Sequence, residues 1–308
     1  MPALRLEEVT KRFGAHVAVD ALSLTVPEGV IYGFLGPNGS GKTTTLRMAL
    51  RILLPDAGVV EVLGERTGGA AHDRVAYLPE ERGLYRRWKV RRLLRYLGEL
   101  KGRSGASLDR AITEWLERMG LAAVAEKRVE QLSKGMAQKI QFIGAALAEP
   151  RLLILDEPFS GLDPVNAVVL RDAVVELRRR GVTIVLSTHD MAVAERMCDR
   201  LLMIHKGKKV LDGTLDEIQA AHGAPRVRVR CAGGREALAG APGVARVVDH
   251  GQLQEVELAG DAQAVLQHLA ARTTVSLFEV ARPSLHEIFV GVARPDATTI
   301  DGFRGEAS

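Results

Sequence analysis

The stretch from Leu35 to Thr44, L-G-P-N-G-S-G-K-T-T, constrains this chain more than any other. Gly36, Gly41, Lys42 and Thr43 satisfy the pattern G-x-x-x-x-G-K-[ST], a loop whose backbone amides wrap a chain of phosphates. Its neighbours fit. Val30 to Leu35 is an apolar run of strand length, and Thr43 to Leu54 carries Leu46, Leu50 and Leu53 at helical spacing. That is the strand, glycine loop and helix order the motif requires. Gly36, Gly39 and Gly41 are expected to take positive φ and approach an anion, while the helix that follows aims free N–H groups at it. Pro37, Asn38, Ser40 and Thr44 complete the expected nucleotide-binding loop. Lys42 is expected to reach the β- and γ-phosphates, and Thr43 to place its hydroxyl on Mg²⁺ together with a carboxylate from elsewhere.

The rest of the chain is read around that loop. Leu4 to Val9 alternates as an edge strand, Thr10 to Gly14 reads as a turn, and Ala21 to Val26 as a second strand. Phe13 has two readings, a core or turn aromatic or a ring on which a base stacks, and the nearby loop favours the second. Val59 to Leu63 and Val75 to Leu78 read as strands, with Gly64 to Ala71 as a loop between them. From about Val90 to Val129 a charged helical stretch carries apolar residues at Leu93, Leu94, Leu97, Leu100, Ile112, Leu116 and Met119, an insertion with outer limits of about 84–135. Leu132-Ser133-Lys134-Gly135-Met136 then opens another helix.

Leu152 to Leu155 followed by Asp156 and Glu157 describes a buried parallel strand that delivers two carboxylates to the site face of an α/β sheet. Asp156 is expected to complete the Mg²⁺ shell, and Glu157 to polarise the water that attacks the γ-phosphate. Val182 to Ser187 is a second buried strand ending in Thr188-His189-Asp190, which makes His189 a γ-phosphate contact. Arg200 to His205 and Lys208 to Leu211 read as a closing hairpin.

Composition narrows the class. The chain has 308 residues, 46% hydrophobic and 26% charged, enough for two globular domains and unlike a disordered or collagen-like chain. No apolar run approaches the roughly 18 to 20 residues that span a bilayer, and no apolar signal core opens the sequence, so the protein is expected to stay where it is made. Cys198 and Cys231 are isolated and fit neither a disulfide framework nor a metal spacing. The net charge of +4 comes from scattered arginines, read as a solvated face, with a basic surface near a membrane as the alternative.

In order, these motifs resemble those of the ATP-binding subunit of an ABC transporter over roughly Leu4 to Gln219. The set comprises the phosphate loop, a Q-loop-like Tyr77-Leu78-Pro79-Glu80, the signature-like 132–136, the strand ending in Asp156 and Glu157, a D-loop at Ser160 to Asp163, and a switch His189. The resemblance implies a P-loop NTPase of α/β class that binds ATP with Mg²⁺ and hydrolyses it, with Lys42, Glu157 and His189 as catalytic groups. It implies a dimer in which Ser133, Lys134 and Gly135 of one subunit contact the nucleotide of the other. With one motif set present, the chain is expected to pair with itself, as a homodimer, or with a close relative. It also implies a separate integral membrane permease as partner, no nucleic acid, and a peripheral location on the inner face of the cell membrane. A soluble ABC ATPase acting on nucleic acid or the ribosome is the alternative.

Three positions, in two motifs, depart from the commonest pattern. Glu80 stands where a glutamine usually contacts Mg²⁺, and Lys134 and Met136 replace a glycine and a glutamine in the signature. With the wording Leu78 to Tyr85, L-P-E-E-R-G-L-Y, they resemble the ATPases of ABC-2-type exporters, including sodium-efflux and drug-resistance systems. The expected domains are an ATP-binding domain over 1–222, a small α+β domain over 223–293 similar to the accessory domain of those ATPases, and a loose tail over 294–308.

Overall fold

The computed structural model describes residues 1–66, 73–81, 83–222 and 226–293. The chain divides between Gly213 and Thr214 into two units. The first runs β1 (Pro2–Phe13), β2 (His16–Pro27), β3 (Ile31–Leu35), α1 (Lys42–Ala49), β4 (Ala57–Val62), β5 (Val75–Leu78), α2 (Val90–Leu100), α3 (Gly105–Arg118), α4 (Lys134–Ala146), β6 (Leu152–Asp156), α5 (Pro164–Arg179), β7 (Thr183–Thr188), α6 (Met191–Met197), β8 (Arg200–His205) and β9 (Lys208–Gly213).

Its centre is a six-stranded sheet in the order β5-β6-β7-β3-β8-β9, parallel except for β9. Every residue of β3, β6 and β7 is buried, because both faces of the sheet are covered. Alternation along a strand then feeds two cores. Leu153 and Leu155 of β6 turn to the side packed by α2, α3, α4 and α5, while Leu152 and Ile154 join the cluster with α1 and the smaller sheet. That smaller sheet is antiparallel, in the order β2-β1-β4.

Two elements differ from the sequence expectation. β1 is the central strand of its sheet, not an edge, and it continues through Thr10 to Phe13. The polar run that reads as a turn is held in the ladder by Asp56, whose carboxylate accepts from the Arg12 amide at 2.6 Å and pairs with Lys11 at 2.9 Å. Helix α1 ends at Ala49, short of Leu54. Arg51 enters the left-handed region at φ 58°, its amide bonds Met48 and the Ile52 amide bonds the Arg47 carbonyl, which closes the helix as a Schellman motif. Leu50 and Leu53 stay at core spacing because they still pack on the core as the chain turns.

Helices α2 and α3 form the insertion and share a core with α4, with Leu93, Leu94, Leu108, Ile112, Leu116, Ile140 and Ile143 buried together. Helix α6 has no counterpart in the sequence reading. Asp190 caps it, accepting the Val193 amide at 3.1 Å. Among the described residues no helix is long and apolar enough to cross a membrane.

The second unit contains α7 (Leu215–His222), β10 (Arg226–Cys231), α8 (Gly234–Ala237), β11 (Val244–Asp249), β12 (Gln254–Leu258), α9 (Ala262–Ala270), β13 (Val275–Ala281) and α10 (Leu285–Val292). Its antiparallel sheet has the order β11-β12-β10-β13, and Val227, Val229, Val256, Val265 and Leu269 form its own core. The division falls earlier than the boundary at 222 read from sequence. Helix α7 is tied into this unit by Gln219 donating to the Pro283 carbonyl at 2.9 Å and by an Arg282–Asp216 ion pair. The tail read over 294–308 lies outside the described residues, as do part of the Gly64 to Ala71 loop, Arg82 and Gly223.

Candidate nucleotide site

The parallel strands bring the chemistry to one edge. Leu35 pairs with Thr188, and Asp156 with Ser187, so the phosphate loop, the acid pair and His189 all leave the sheet at its carboxyl end. There a cavity of about 420 Å³ is lined by Phe13, His16, Ala18, Asn38, Gly39, Gly41, Lys42, Thr43, Thr44, Glu80 and Glu157.

The loop takes the backbone the glycines permit. Gly36 and Gly41 have φ of 152° and 107°. A Cβ on Gly41 would lie 2.5 Å from the Ala18 carbonyl oxygen, and one on Gly36 would meet Ser40 Oγ at 2.6 Å and collide with the Ile204 carbonyl. No side chain fits, so the amides themselves face the cavity. Lys42, only 6% exposed, donates to the Gly36 carbonyl at 2.7 Å and the Pro37 carbonyl at 3.2 Å. Burial lowers its pKa, against the pull of Glu157, Asp156 and Glu80.

Glu157 is held from several sides. Its Oε1 lies 2.8 Å from His189 Nδ1 and 3.8 Å from Lys42 Nζ, and Thr188 Oγ1 donates to its Oε2 at 3.4 Å. Its amide donates to the Ser187 carbonyl at 3.0 Å, and its φ is +49°. A non-glycine residue in that region costs about 1 kcal/mol or more and persists where the surroundings over-determine it. The outcome is a carboxylate 6% exposed and aimed at the lysine.

Asp156 is wholly buried. Tyr77, its hydroxyl pKa pushed up to about 12 by burial and by Asp156, donates to Oδ2 at 3.4 Å. Oδ1 has no hydrogen-bond partner among the described residues, and neither does buried Ser40 Oγ. A wholly buried carboxylate oxygen without a partner fits a hard divalent cation bound through few protein oxygens and the substrate's phosphates. Glu80 and Thr43 line the nucleotide cavity, Glu80 with an exposed side chain, while Asp156 is not among the lining residues.

Phe13 borders the cavity mouth, half exposed at 49%. The hairpin pairs it with His16, which the sequence reading overlooked, as it did Tyr77 and Thr188 as side chains holding the acids. The Gly14 turn two residues before His16 was the available signal. Ser133, Lys134 and Gly135 do not line this cavity. They form the start of α4, where Ser133 Oγ caps the Met136 amide at 3.2 Å.

Residues 19–160 match the family model of the ABC transporter, and residues 213–293 that of the C-terminal domain of DrrA1-3-like ATP-binding proteins. The chain is 41% identical over 289 residues to the uncharacterized ABC transporter ATP-binding protein YhaQ of Bacillus subtilis, covering 93% of this chain and 97% of the relative. The chain belongs to the ABC transporter ATP-binding proteins. It is 35% identical to the Nod factor export ATP-binding protein I of a Rhizobium species, covering 94% of this chain and 96% of that one. A solved structure of an ATP-binding subunit of an ABC transporter superposes with a TM-score of 0.67 at 32% identity, over 71% of this chain and 92% of that one.

The protein is therefore an ATP-binding and ATP-hydrolysing subunit of an ABC transporter. Its second domain and its export relatives fit the ABC-2-type exporter sub-group. The alternative of a soluble ATPase acting on nucleic acid or the ribosome finds no support among these relatives.

Proposed function

We propose that this chain hydrolyses Mg-ATP with Glu157 as the general base and drives a separate membrane permease from the inner face of the membrane. The contact of Glu157 with both Lys42 and His189 carries the reading, since it places a desolvated carboxylate between the phosphate-binding amine and a second polar contact. The loop amides and Lys42 bind the phosphates and offset their charge. Glu157 orients water in line and accepts its proton at Oε1 or Oε2, and His189 and Thr188 hold that carboxylate still. Thr43, Asp156 and Glu80 would hold Mg²⁺, which neutralises charge on the phosphate oxygens when bound. Phe13 offers its ring to the purine.

The start of α4 supports a dimer. Ser133 and Lys134 are exposed at a helix N-terminus apart from the nucleotide cavity of their own chain, as a contact to a partner's phosphates needs. Permease docking is supported by an apolar groove of about 420 Å³ that includes Ile52, Leu84, Leu97, Leu100 and Ala148.

The decisive variant is Glu157→Gln. It keeps shape and loses the base, so ATP hydrolysis should fall at least 100-fold while ATP binding persists, and the bound dimer should accumulate on sizing. Hydrolysis at the native rate would remove Glu157 from the role.

A further inference from the structure

Glu80 and Lys134, the two charged departures from the family pattern, line one and the same second cavity. It measures about 290 Å³, and its walls are Glu80, Glu81, Lys134, Gln138, Glu157 and Ser160. Glu80 and Glu157 also line the nucleotide cavity, so the two spaces share these carboxylates. Among the described residues of this wall, Lys134 is the one cation, beside three acids.

The backbone around Lys134 is fixed by its own chain. Gly135 is buried, and a Cβ there would lie 3.3 Å from Asn166 Nδ2 and 3.4 Å from Leu162 Cδ2. The lysine stem runs along Gly161, where a Cβ would come within 2.8 Å of Lys134 Cε and collide with Nζ. Gly161 itself sits at φ +68°. The absence of a side chain at Gly161 therefore makes room for Lys134 on the cavity wall.

We propose that Lys134 is a positioning residue for Glu80, its ammonium offsetting the Glu80 carboxylate across this cavity within one subunit and so setting how strongly that carboxylate serves a divalent cation. The proposal rests on the reading of Glu80 as a Mg²⁺ contact. Opposite charges across an open, hydrated space interact weakly, so the effect is modest. Without the ammonium, the Glu80 charge beside Glu157 is no longer offset, and the cation is drawn more strongly. With glutamine at 80, Lys134 keeps only Glu81 and Glu157 on this wall, so its influence on the cation shrinks.

The test is a double-mutant cycle on the full chain, with binding of trinitrophenyl-ATP followed by fluorescence as Mg²⁺ is titrated. Lys134→Met should lower the half-saturating Mg²⁺ about threefold, the size of an exposed charge pair, and Lys134→Arg should restore the wild-type value. In the Glu80→Gln background the same Lys134→Met change should have a clearly smaller effect, since only Glu81 and Glu157 then remain on the wall. Gly161→Ala, which leaves all the charges and displaces the lysine stem, should shift Mg²⁺ in the direction of Lys134→Met. An equal effect of Lys134→Met in both backgrounds, or none with Glu80 present, would overturn the pair while leaving the metal reading standing. Glu80→Gln binding Mg²⁺ as the wild type does would overturn the metal reading and the pair with it.

Discussion

Gly36 shows how far a single residue is dictated by the chemistry. Its φ of 152° and the Ile204 carbonyl against its Cα leave no volume for a methyl group. Gly36→Ala should therefore open the phosphate loop, weakening ATP binding more than tenfold and stability by about 1–3 kcal/mol. Calorimetric titration with ATP and a thermal melt read the two effects, and native affinity in this variant would remove the cradle from the account. Lys42 adds a pH dependence with a definite sign. Its pKa is lowered chiefly by burial, so the ammonium is lost at a lower pH than an ordinary lysine's. Affinity for ATP should fall on the alkaline side before that of a site built on an exposed lysine. Apo stability should move the other way, rising with pH up to the unfolded value, since the unfolded chain holds the proton longer. Residues of this kind were legible in the sequence because phosphate chemistry prescribes their types at fixed spacing. The contact between Glu157 and His189 was not, because it depends on the pairing of β6 with β7 and on a left-handed backbone at Glu157.

At the scale of elements, legibility followed burial. Strands β3, β6 and β7 are covered on both faces and read as continuous apolar runs. The ends of β1 and α1 misled because local signals there serve a distant partner: Lys11 and Arg12 answer Asp56, and Leu50 and Leu53 reach the core after the helix has stopped. Lys139 is a comparable case inside α4. It is buried, and its ammonium donates at 2.7 Å to the carbonyl of Met119, at the C-terminal end of α3. That bond satisfies a helix end that the insertion has otherwise sealed from water. Lys139→Met keeps the volume and orphans the carbonyl, so the chain should lose about 1–3 kcal/mol of stability. Urea unfolding with an unchanged m-value would read it, and an unshifted midpoint would mean that water reaches Met119.

Over the whole molecule, the chain forms two units that divide at Gly213, each with buried apolar residues of its own, whereas composition changes only near 223. A shift in composition marks where β10 starts, but α7 precedes it in sequence and packs with α10, a contact no local pattern announces. Within the first unit, the groove that includes Ile52 and Leu100 leaves two large apolar side chains 59% and 63% exposed. Clustered apolar exposure around a cavity is the mark of an interaction surface. The groove also borders the chain between Tyr77 and Leu84, which carries Glu80 to the nucleotide cavity. A permease segment seated there would lie against the same loop that carries Glu80, and docking and nucleotide binding would bias one another by whatever binding energy they share. Ile52→Glu with Leu100→Glu should accordingly leave ATP affinity of the isolated chain within about twofold, since neither side chain touches the nucleotide cavity, yet cut the fraction recovered with membranes about tenfold, each buried charge opposing docking by more than the roughly 1.4 kcal/mol that a tenfold change requires. Equal membrane recovery of the variant and the native chain would clear this groove of permease binding and move the search to another face.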